Sequence, residues 1–281
     1  MATATGIEED GRAGDGVETW RELNRANWDE RVAVHLASDF YRVEQFVAGE
    51  DPLHGFEDGE LGPLAGTAAI HLQCHLGLDT LALGRRGAEV TGLDFSRPAL
   101  EAARRLADRT GVAARFVEAD VYDAPAALGR RYDLVYTGKG ALNWLPDMRR
   151  WAEVVASLLC PGGRLYLVEF HPFVSVFGDE SLSLEYPYFD EGPVHLDDPG
   201  DYADPDARLS ATRTVQFAHP LGEIVTALVE AGLVLEFLHE LTECSFRRFP
   251  FLVESQPGLY AMPPGMVRLP MMFSLRARRP A

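Results

Sequence analysis

Acidic and imidazole side chains stand where several predicted strands end, at positions suited to proton transfer. Glu169 and His171 close the segment RLYLVEFH, and His219 begins a later helical segment. A glutamate at the mouth of a largely apolar pocket has a raised pKa, which suits a general base. Glu169, His171 and His219 are therefore the predicted catalytic residues. Each has a structural alternative, since Glu169 could accept hydrogen bonds from a loop and His219 could cap a helix.

A second group of polar residues follows the first strands. Asp94 ends the segment AEVTGLD, seventeen positions after Gly77. This is near the spacing at which a carboxylate accepts hydrogen bonds from both hydroxyls of a ribose. A helix cap is the alternative role, but Ser96 fits that role better because Pro98 occupies the first helical turn.

The turn after the first predicted strand is Gln73-Cys74-His75-Leu76-Gly77. A dinucleotide-binding protein would have G-x-G-x-x-G here, so the single Gly77 disfavours a nicotinamide oxidoreductase. The absence of G-K-[ST] excludes a P-loop. Gln73 and His75 carry donors that could bind a carboxylate.

Short apolar strands alternate with amphipathic helices through most of the chain. This alternation predicts an α/β fold with a Rossmann-like doubly wound sheet, mostly parallel with an antiparallel last strand. The predicted strands are 68–73, 88–94, 114–120, 131–137, 164–170, 233–241 and 271–279, and the predicted helices are 79–86, 98–110, 148–159 and 219–231.

The remaining segments suggest the domain organisation. Residues 1–18 predict a disordered tail, and residues 19–281 a single domain in which 19–60 form a helical cover. Residues 171–218 are rich in Pro, Gly, Asp and aromatic residues, and such length within a compact domain predicts an inserted lid.

Composition narrows the class of protein. The chain has 281 residues and a formal net charge of −17, which disfavours nucleic acid as a partner. The three cysteines lie far apart, so no disulfide framework or zinc cluster is indicated. No stretch approaches the roughly 18 apolar residues of a membrane span, and the first residues lack a secretory signal. We expect a cytoplasmic protein, and the sequence does not indicate its oligomeric state.

Six segments, in order, resemble class I S-adenosylmethionine-dependent methyltransferases. They are NRANWDERVAVH, HLQCHLGLDTLALGRRGAEVTGLDFSRPALEAARRLA, ARFVEADVYDAP, YDLVYTGKGALNWLPD, LLCPGGRLYLVEFHP and HPLGEIVTALVEAGL. The chain is similar to a branch that writes LQCHxGxDTL in the first motif. It departs from the usual pattern because His71 takes the acidic position, and Gln73 and His75 take the first two glycines.

The resemblance implies S-adenosyl-L-methionine as the cofactor, bound with altered contacts. Asp120 matches the position that accepts from the adenine amine, Val121 packs on the ring, and the backbone at Thr137 and Gly138 passes close to the sulfonium. The implied cofactor-binding residues are Gln73, His75, Gly77, Asp94, Phe95, Asp120, Val121, Thr137 and Gly138. No metal is indicated.

The predicted acceptor is a small, partly apolar metabolite of secondary or specialised metabolism, methylated on oxygen, nitrogen or carbon. The predicted substrate-binding residues are Trp28, Tyr41, Trp144, Tyr186, Phe217 and Arg247. One alternative is C-methylation of an allylic diphosphate with Glu169 as base, which would depend on a divalent metal or on the pair Arg247 and Arg248. Another is a non-catalytic cofactor-binding scaffold.

Overall fold

The computed structural model describes residues 16–281, and these form two compact units. The first contains the residues up to Leu128 together with Val194–Gln216, and the second contains Gly129–Pro193 and Phe217–Ala281. Most of the predicted disordered tail, residues 1–15, lies outside the described residues. The first helix begins at Gly16.

The first unit contains three parallel strands in the order β3-β2-β1. Their register pairs Leu72 with Leu93 and Asp94 with Glu118, so the turns that follow these strands meet at one edge. The strands are β1 (Ala68–Leu72), β2 (Glu89–Asp94) and β3 (Ala114–Glu118), and the helices are α1 (Gly16–Ala37), α2 (Val43–Val47), α3 (Gly55–Leu61), α4 (Leu78–Arg85), α5 (Arg97–Thr110) and α6 (Ala124–Leu128).

The second unit contains four strands in the order β4-β5-β12-β8. β4 (Tyr132–Gly138) and β5 (Leu159–Phe170) are parallel, and β12 (Met272–Arg278) runs antiparallel between β5 and β8 (Val234–Leu241). Its helices are α7 (Met148–Leu158) and α8 (Leu221–Glu230). The seven strands confirm the predicted class: Rossmann-like, doubly wound and mostly parallel, with an antiparallel last strand.

Strand burial explains why the sheet could be recognised from sequence. Ile70 and Leu72 in β1, and Leu165 and Leu167 in β5, are fully buried. Parallel strands covered on both faces consist of near-continuous apolar runs. The helix α5 also begins as predicted, because the Ser96 side chain accepts from the Ala99 backbone N–H at 3.3 Å.

β5 begins five residues earlier than the predicted start at Arg164. The breaker cluster Pro161-Gly162-Gly163 lies inside the strand because it pairs with the end of the last strand. Gly162 N–H donates to Arg279 O at 3.0 Å, and Arg279 N–H donates to Gly163 O at 2.8 Å. A Cβ at position 163 would lie 3.0 Å from two carbonyl oxygens, so glycine suits this pairing.

The predicted lid contains strands that its composition did not indicate. β6 (Val194–Asp197) and β7 (Arg213–Gln216) form an antiparallel pair in the first unit, whereas residues 171–193 belong to the second unit. In the second unit, β10 (Val253–Gln256), β11 (Leu259–Ala261) and β9 (Glu243–Cys244) form another small sheet. Such short strands show too few alternations for a periodicity to emerge.

Helix α1 binds the backbone of β7 and the residues before it. Asn24 donates to Val215 O and accepts from Val215 N–H, both at 2.8 Å. One turn along, Asn27 donates to Ala211 O at 2.6 Å, and Glu30 accepts from the backbone of Ser210 and Ala211. Residues spaced by three share one helix face, so α1 holds this segment in the first unit.

Candidate functional site

The turn after β1 keeps a glycine-like backbone although two of its glycine positions carry side chains. Gln73 has φ of 56°, His75 has φ of 48° and Gly77 has φ of 73°. This left-handed region is uncommon for residues other than glycine. Gln73 and His75 therefore adopt a backbone conformation that favours glycine, with strain at both residues.

Gly77 is required by packing as well as by conformation. A Cβ at this position would lie 2.9 Å from the Phe116 ring and 3.0 Å from Ala103 Cβ. Glycine thus allows the start of α4 to approach β3 and α5 closely. The His71 side chain contacts Thr80 at 2.9 Å within the core, where the family has its acidic residue.

Asp94 is a buried carboxylate that joins two turns at the edge of the first unit. Oδ1 accepts from Ser96 N–H and Oδ2 from His75 N–H, both at 2.8 Å. Burial raises the pKa of Asp94 to about 6, although these two hydrogen bonds oppose the shift. Asp29 also raises this pKa and accepts from the Ser96 hydroxyl at 2.5 Å. Beside Asp94, the Phe95 ring lies 5.7 Å from the Arg25 guanidinium.

Asp120 and Val121 begin the turn after β3. Asp120 Oδ1 accepts from Tyr122 N–H at 2.9 Å, while Oδ2 pairs with Arg21 Nε at 2.8 Å. Val121 is buried. The carboxylate of Asp120 is thus held between the backbone of its own turn and a cation on α1.

A cluster of aromatic and charged side chains surrounds His75. Its Nε2 lies 2.7 Å from Nδ1 of His35, and Nε2 of His35 lies 3.1 Å from Oδ2 of Asp201. Arg31 pairs with the same Asp201 oxygen at 2.7 Å. His35 and Asp201 are buried, so three chain segments, α1, the turn after β1 and residues near 201, meet in one polar network.

Two of the predicted substrate-binding residues belong to this cluster. The Trp28 ring is edge-on to His75 with centroids 5.1 Å apart. Tyr41 stacks on His35 at 4.6 Å, and its hydroxyl lies 2.5 Å from the hydroxyl of Tyr202. Aromatic rings therefore enclose the two imidazoles.

In the second unit, Glu169 accepts four backbone N–H groups. Oε1 accepts from Gly140 and from Phe170 at 2.7 Å, and Oε2 accepts from Ala141 at 2.8 Å and Leu142 at 3.1 Å. Burial raises the pKa of Glu169, the direction expected from the sequence, while these hydrogen bonds oppose it. The carboxylate holds the loop that follows β4.

His171 and His219 have both ring nitrogens engaged. His171 Nδ1 accepts from Phe173 N–H at 3.1 Å, so Nε2 donates to Glu240 at 3.0 Å. Burial lowers the pKa of His171. Nε2 of His219 lies 2.6 Å from Leu145 O, and Nδ1 lies 3.1 Å from Glu223.

The other predicted residues of the second unit are spread over several loops. Thr137 is buried, and no hydrogen-bond partner for its hydroxyl occurs among residues 16–281. Gly138 ends β4, Trp144 ends a short 3₁₀ turn, and Tyr186 is 37% exposed. Phe217 N–H donates to Asn143 O at 2.8 Å.

The adjacent arginines Arg247 and Arg248 have different partners. The exposed Arg247 lies over the Tyr260 ring at 5.5 Å. Arg248 pairs with Asp179 at 2.8 Å and donates to Phe177 O. The two side chains therefore do not converge on one shared partner.

Comparison with known families gives the class of the central segment. Residues 70–165, from β1 into β5, match a family described as a methyltransferase domain. This part of the chain is similar to methyltransferase domains. The match includes the left-handed turn, Asp94, Asp120 and Thr137, and it confirms the predicted resemblance to class I S-adenosylmethionine-dependent methyltransferases.

Curated methyltransferases are similar to this chain over part of their length. A ubiquinone biosynthesis O-methyltransferase of Proteus mirabilis is 28% identical over 155 residues, which cover 49% of this chain and 63% of the relative. A demethylmenaquinone methyltransferase of Thermus thermophilus is 41% identical over 86 residues, covering 31% and 38%. The chain thus spans less than two thirds of the length of these relatives.

Solved structures extend the likeness of the fold beyond residues 70–165. An S-adenosylmethionine-dependent methyltransferase from Mesorhizobium loti has a TM-score of 0.57 at 21% identity, covering 79% of this chain and 94% of that one. One from Clostridium acetobutylicum has a TM-score of 0.57 at 13% identity, covering 89% and 96%. At these identities the likeness establishes the fold.

Within residues 16–281, no group of three or more His, Cys, Asp or Glu side chains is arranged to hold a metal ion. In the same part of the chain, no helix combines the length and the apolar character needed to cross a membrane.

Sequence reasoning did not identify Asp201, Arg31 or Ser96 as site residues. Asp201 lies 166 positions from His35 in a stretch with several other aspartates, DDPGDYADPD. No spacing in the sequence distinguishes it from its neighbours. Only the packing of that stretch on α1 selects it.

Proposed function

We propose that the chain is an S-adenosylmethionine-dependent methyltransferase that acts on a small, partly apolar acceptor. The observation that carries the proposal is the arrangement around the turn after β1. Positive φ angles at Gln73, His75 and Gly77 give this turn a backbone that favours glycine, and the amide of His75 binds the carboxylate that ends β2.

The Asp94 carboxylate beside this turn fits such a cofactor. The Asp94 carboxylate accepts the backbone N–H groups of His75 and Ser96, and its roughly four lone-pair sites leave acceptor capacity for a ribose hydroxyl. The buried Thr137 hydroxyl, for which residues 16–281 provide no partner, supports a ligand on the second unit as well. When bound, the cofactor supplies a methyl group already activated by its sulfonium, so the protein's tasks are alignment and exclusion of water.

The chemistry of the acceptor is proposed from the side chains around it. The residues proposed to contact the acceptor are those that the sequence indicated: Trp28, Tyr41, Trp144, Tyr186, Phe217 and Arg247. Aromatic surfaces would exclude water and favour a partly apolar molecule. The quinone pathways named for two relatives support an aromatic or quinone-like acceptor. The net charge of −17 supports a small molecule over nucleic acid.

Glu169, His171 and His219 were the predicted bases, and their contacts favour different roles. A base must reach the acceptor's proton. Glu169 would first have to release backbone amides, so we propose that it positions residues 140–142. His171 is held by Phe173 and Glu240. Both ring nitrogens of His219 face acceptor oxygens, those of Leu145 and Glu223.

Titration calorimetry with S-adenosylmethionine and S-adenosylhomocysteine tests the proposal. Both should bind, and methyl transfer to a panel of phenols, quinols and amines should follow. Failure of both ligands to bind would overturn the proposal. Binding without turnover on any acceptor would favour the scaffold, and tight binding of NADH alone would favour an oxidoreductase.

A further inference from the structure

The Asp201–His35–His75 network fixes where each imidazole carries its proton. Arg31 and the backbone N–H of Ala203 both donate to the Asp201 carboxylate, at 2.7 Å each, so Asp201 is an acceptor. His35 therefore donates from Nε2 to Asp201. In a neutral His35 ring, Nδ1 is then an acceptor, so the contact at 2.7 Å requires His75 to donate from Nε2.

This chain of donors leaves Nδ1 of His75 without a proton. No residue from 16 to 281 donates to that nitrogen, and the His75 side chain is half-buried. The turn after β1 thus presents a neutral acceptor in place of the second glycine. The initial expectation was that His75 would offer a donor for a carboxylate.

Burial keeps both imidazoles neutral. Desolvation lowers the pKa of His75 well below its usual value, and the neighbouring His35 and Arg31 lower it further, while Asp201 opposes this. Desolvation also lowers the pKa of His35. The one permanent cation of the cluster, Arg31, is paired with Asp201. A positively charged ligand would therefore meet no free positive charge from these groups.

The surroundings of His75 suit a cation. The rings of Trp28 and Tyr41 lie 5.1 and 5.5 Å from it, and aromatic faces attract ammonium and sulfonium groups. We propose that Asp201 and His35 are positioning residues that fix the tautomer of His75, so that its Nδ1 accepts a hydrogen bond from the α-ammonium group of the methyl donor. The inference rests on the proposed function.

The experiment compares three ligands on four proteins. S-Adenosylmethionine and S-adenosylhomocysteine carry the α-ammonium, whereas 5′-methylthioadenosine has the same nucleoside without the amino-acid end. Calorimetry measures the affinity of each ligand for the wild type and for the variants His75→Leu, His75→Asn and His35→Phe. Asparagine suits a left-handed backbone and places an acceptor oxygen near the position of Nδ1, so it is the conservative control.

In His75→Leu, the affinity for both ligands that contain the ammonium should fall about tenfold, a loss of about 1.4 kcal/mol in binding free energy. The affinity for methylthioadenosine should stay unchanged. His75→Asn should bind all three within about threefold of the wild type. In His35→Phe, the affinity for the two ligands that contain the ammonium should fall about threefold. Equal weakening of methylthioadenosine in His75→Leu, or no weakening of S-adenosylhomocysteine, would overturn the inference.

Nitrogen-15 NMR of histidine in the ligand-free protein tests the tautomer without any cofactor. His75 should show a protonated Nε2 and an unprotonated Nδ1, and His35→Phe should convert this signal to a mixture of tautomers. A proton on Nδ1 of the wild type would overturn the inference. If the wild type binds neither cofactor form, the proposed function fails, while the NMR result still decides the tautomer.

Discussion

The backbone N–H of His75 donates to Oδ2 of Asp94 across 2.8 Å, which joins the turn after β1 to the end of β2. The same carboxylate binds Ser96 N–H through its other oxygen. Asp94 thus sets the distance between two turns as well as presenting a carboxylate. This relationship leads to a pH-dependent prediction.

Binding of 5′-methylthioadenosine should weaken as the pH falls through about 6. Asp94 becomes protonated there, because burial raises its pKa to about 6, and a protonated carboxyl accepts less well from ribose hydroxyls. Asp94→Asn should bind about tenfold more weakly at pH 7.5 and show no such pH dependence. Calorimetry between pH 5 and 8 measures this. An unchanged affinity in Asp94→Asn would contradict the role of the carboxylate.

Protonation of Asp94 should stabilise the folded protein, although it should weaken ligand binding. The pKa of this carboxyl is about 6 in the folded protein and has an ordinary value of 3.8, so the folded state binds an extra proton between these values. Its stabilising contribution is present in full below 3.8 and is lost as the pH rises through about 6. The free energy of unfolding of the wild type, relative to Asp94→Asn, should therefore increase as the pH is lowered from 7 to 5. Urea denaturation at each pH measures the difference.

Backbone strain at Gln73 predicts that a glycine variant is more stable than an alanine variant at this position, the reverse of the order within a helix. Because φ is 56° there, Gln73→Gly should be more stable than Gln73→Ala by about 1 kcal/mol. The matched pair at the exposed Arg105, in the middle of α5, should show the usual order, with glycine about 1 kcal/mol less stable. Thermal and urea unfolding test both pairs. The same order at both positions would show that the turn is not left-handed at Gln73.

Replacement of Glu169 should loosen the loop after β4. Glu169→Gln places an amide NH₂ against backbone N–H groups, which should lower the free energy of unfolding by about 2 kcal/mol. The exposed Glu153→Gln is the control and should change it by less than about 0.5 kcal/mol. Hydrogen exchange of residues 140–142 should accelerate in Glu169→Gln alone. If exchange there is unchanged while turnover is lost, Glu169 acts as a base after all.

The hydrogen bonds of Asn24 should stabilise the contact between helix α1 and β7. Asn24→Ala leaves the buried N–H and C=O of Val215 without this partner, so the free energy of unfolding should fall by about 2 kcal/mol. Glu22→Ala, on the exposed side of the same helix, is the control. Exchange of the Val215 amide should accelerate in Asn24→Ala only. Equal effects of the two substitutions would contradict this role.

The positions of the main strands along the chain could be predicted because burial on both faces demands apolar runs such as AAIHL and RLYLV. The N-cap at Ser96 could also be predicted, because it depends on residues that are neighbours in the chain. The start of β5 at Leu159 was not predicted, since Gly162 and Gly163 are held in the sheet by hydrogen bonds to Arg279, which is distant in the chain. The hairpin of β6 and β7 was missed because four-residue strands carry little periodicity.

The sequence by itself determined the methyltransferase resemblance, the position of Asp94 at a strand end and the single remaining glycine of the turn. Those features are set by residues close together in the chain. Only the tertiary structure decided that Gln73 and His75 keep left-handed backbones, that Glu169 binds four amides, and that Asp201 reaches His35. These outcomes depend on packing between distant segments, and no local pattern encodes which of several aspartates will meet a buried imidazole.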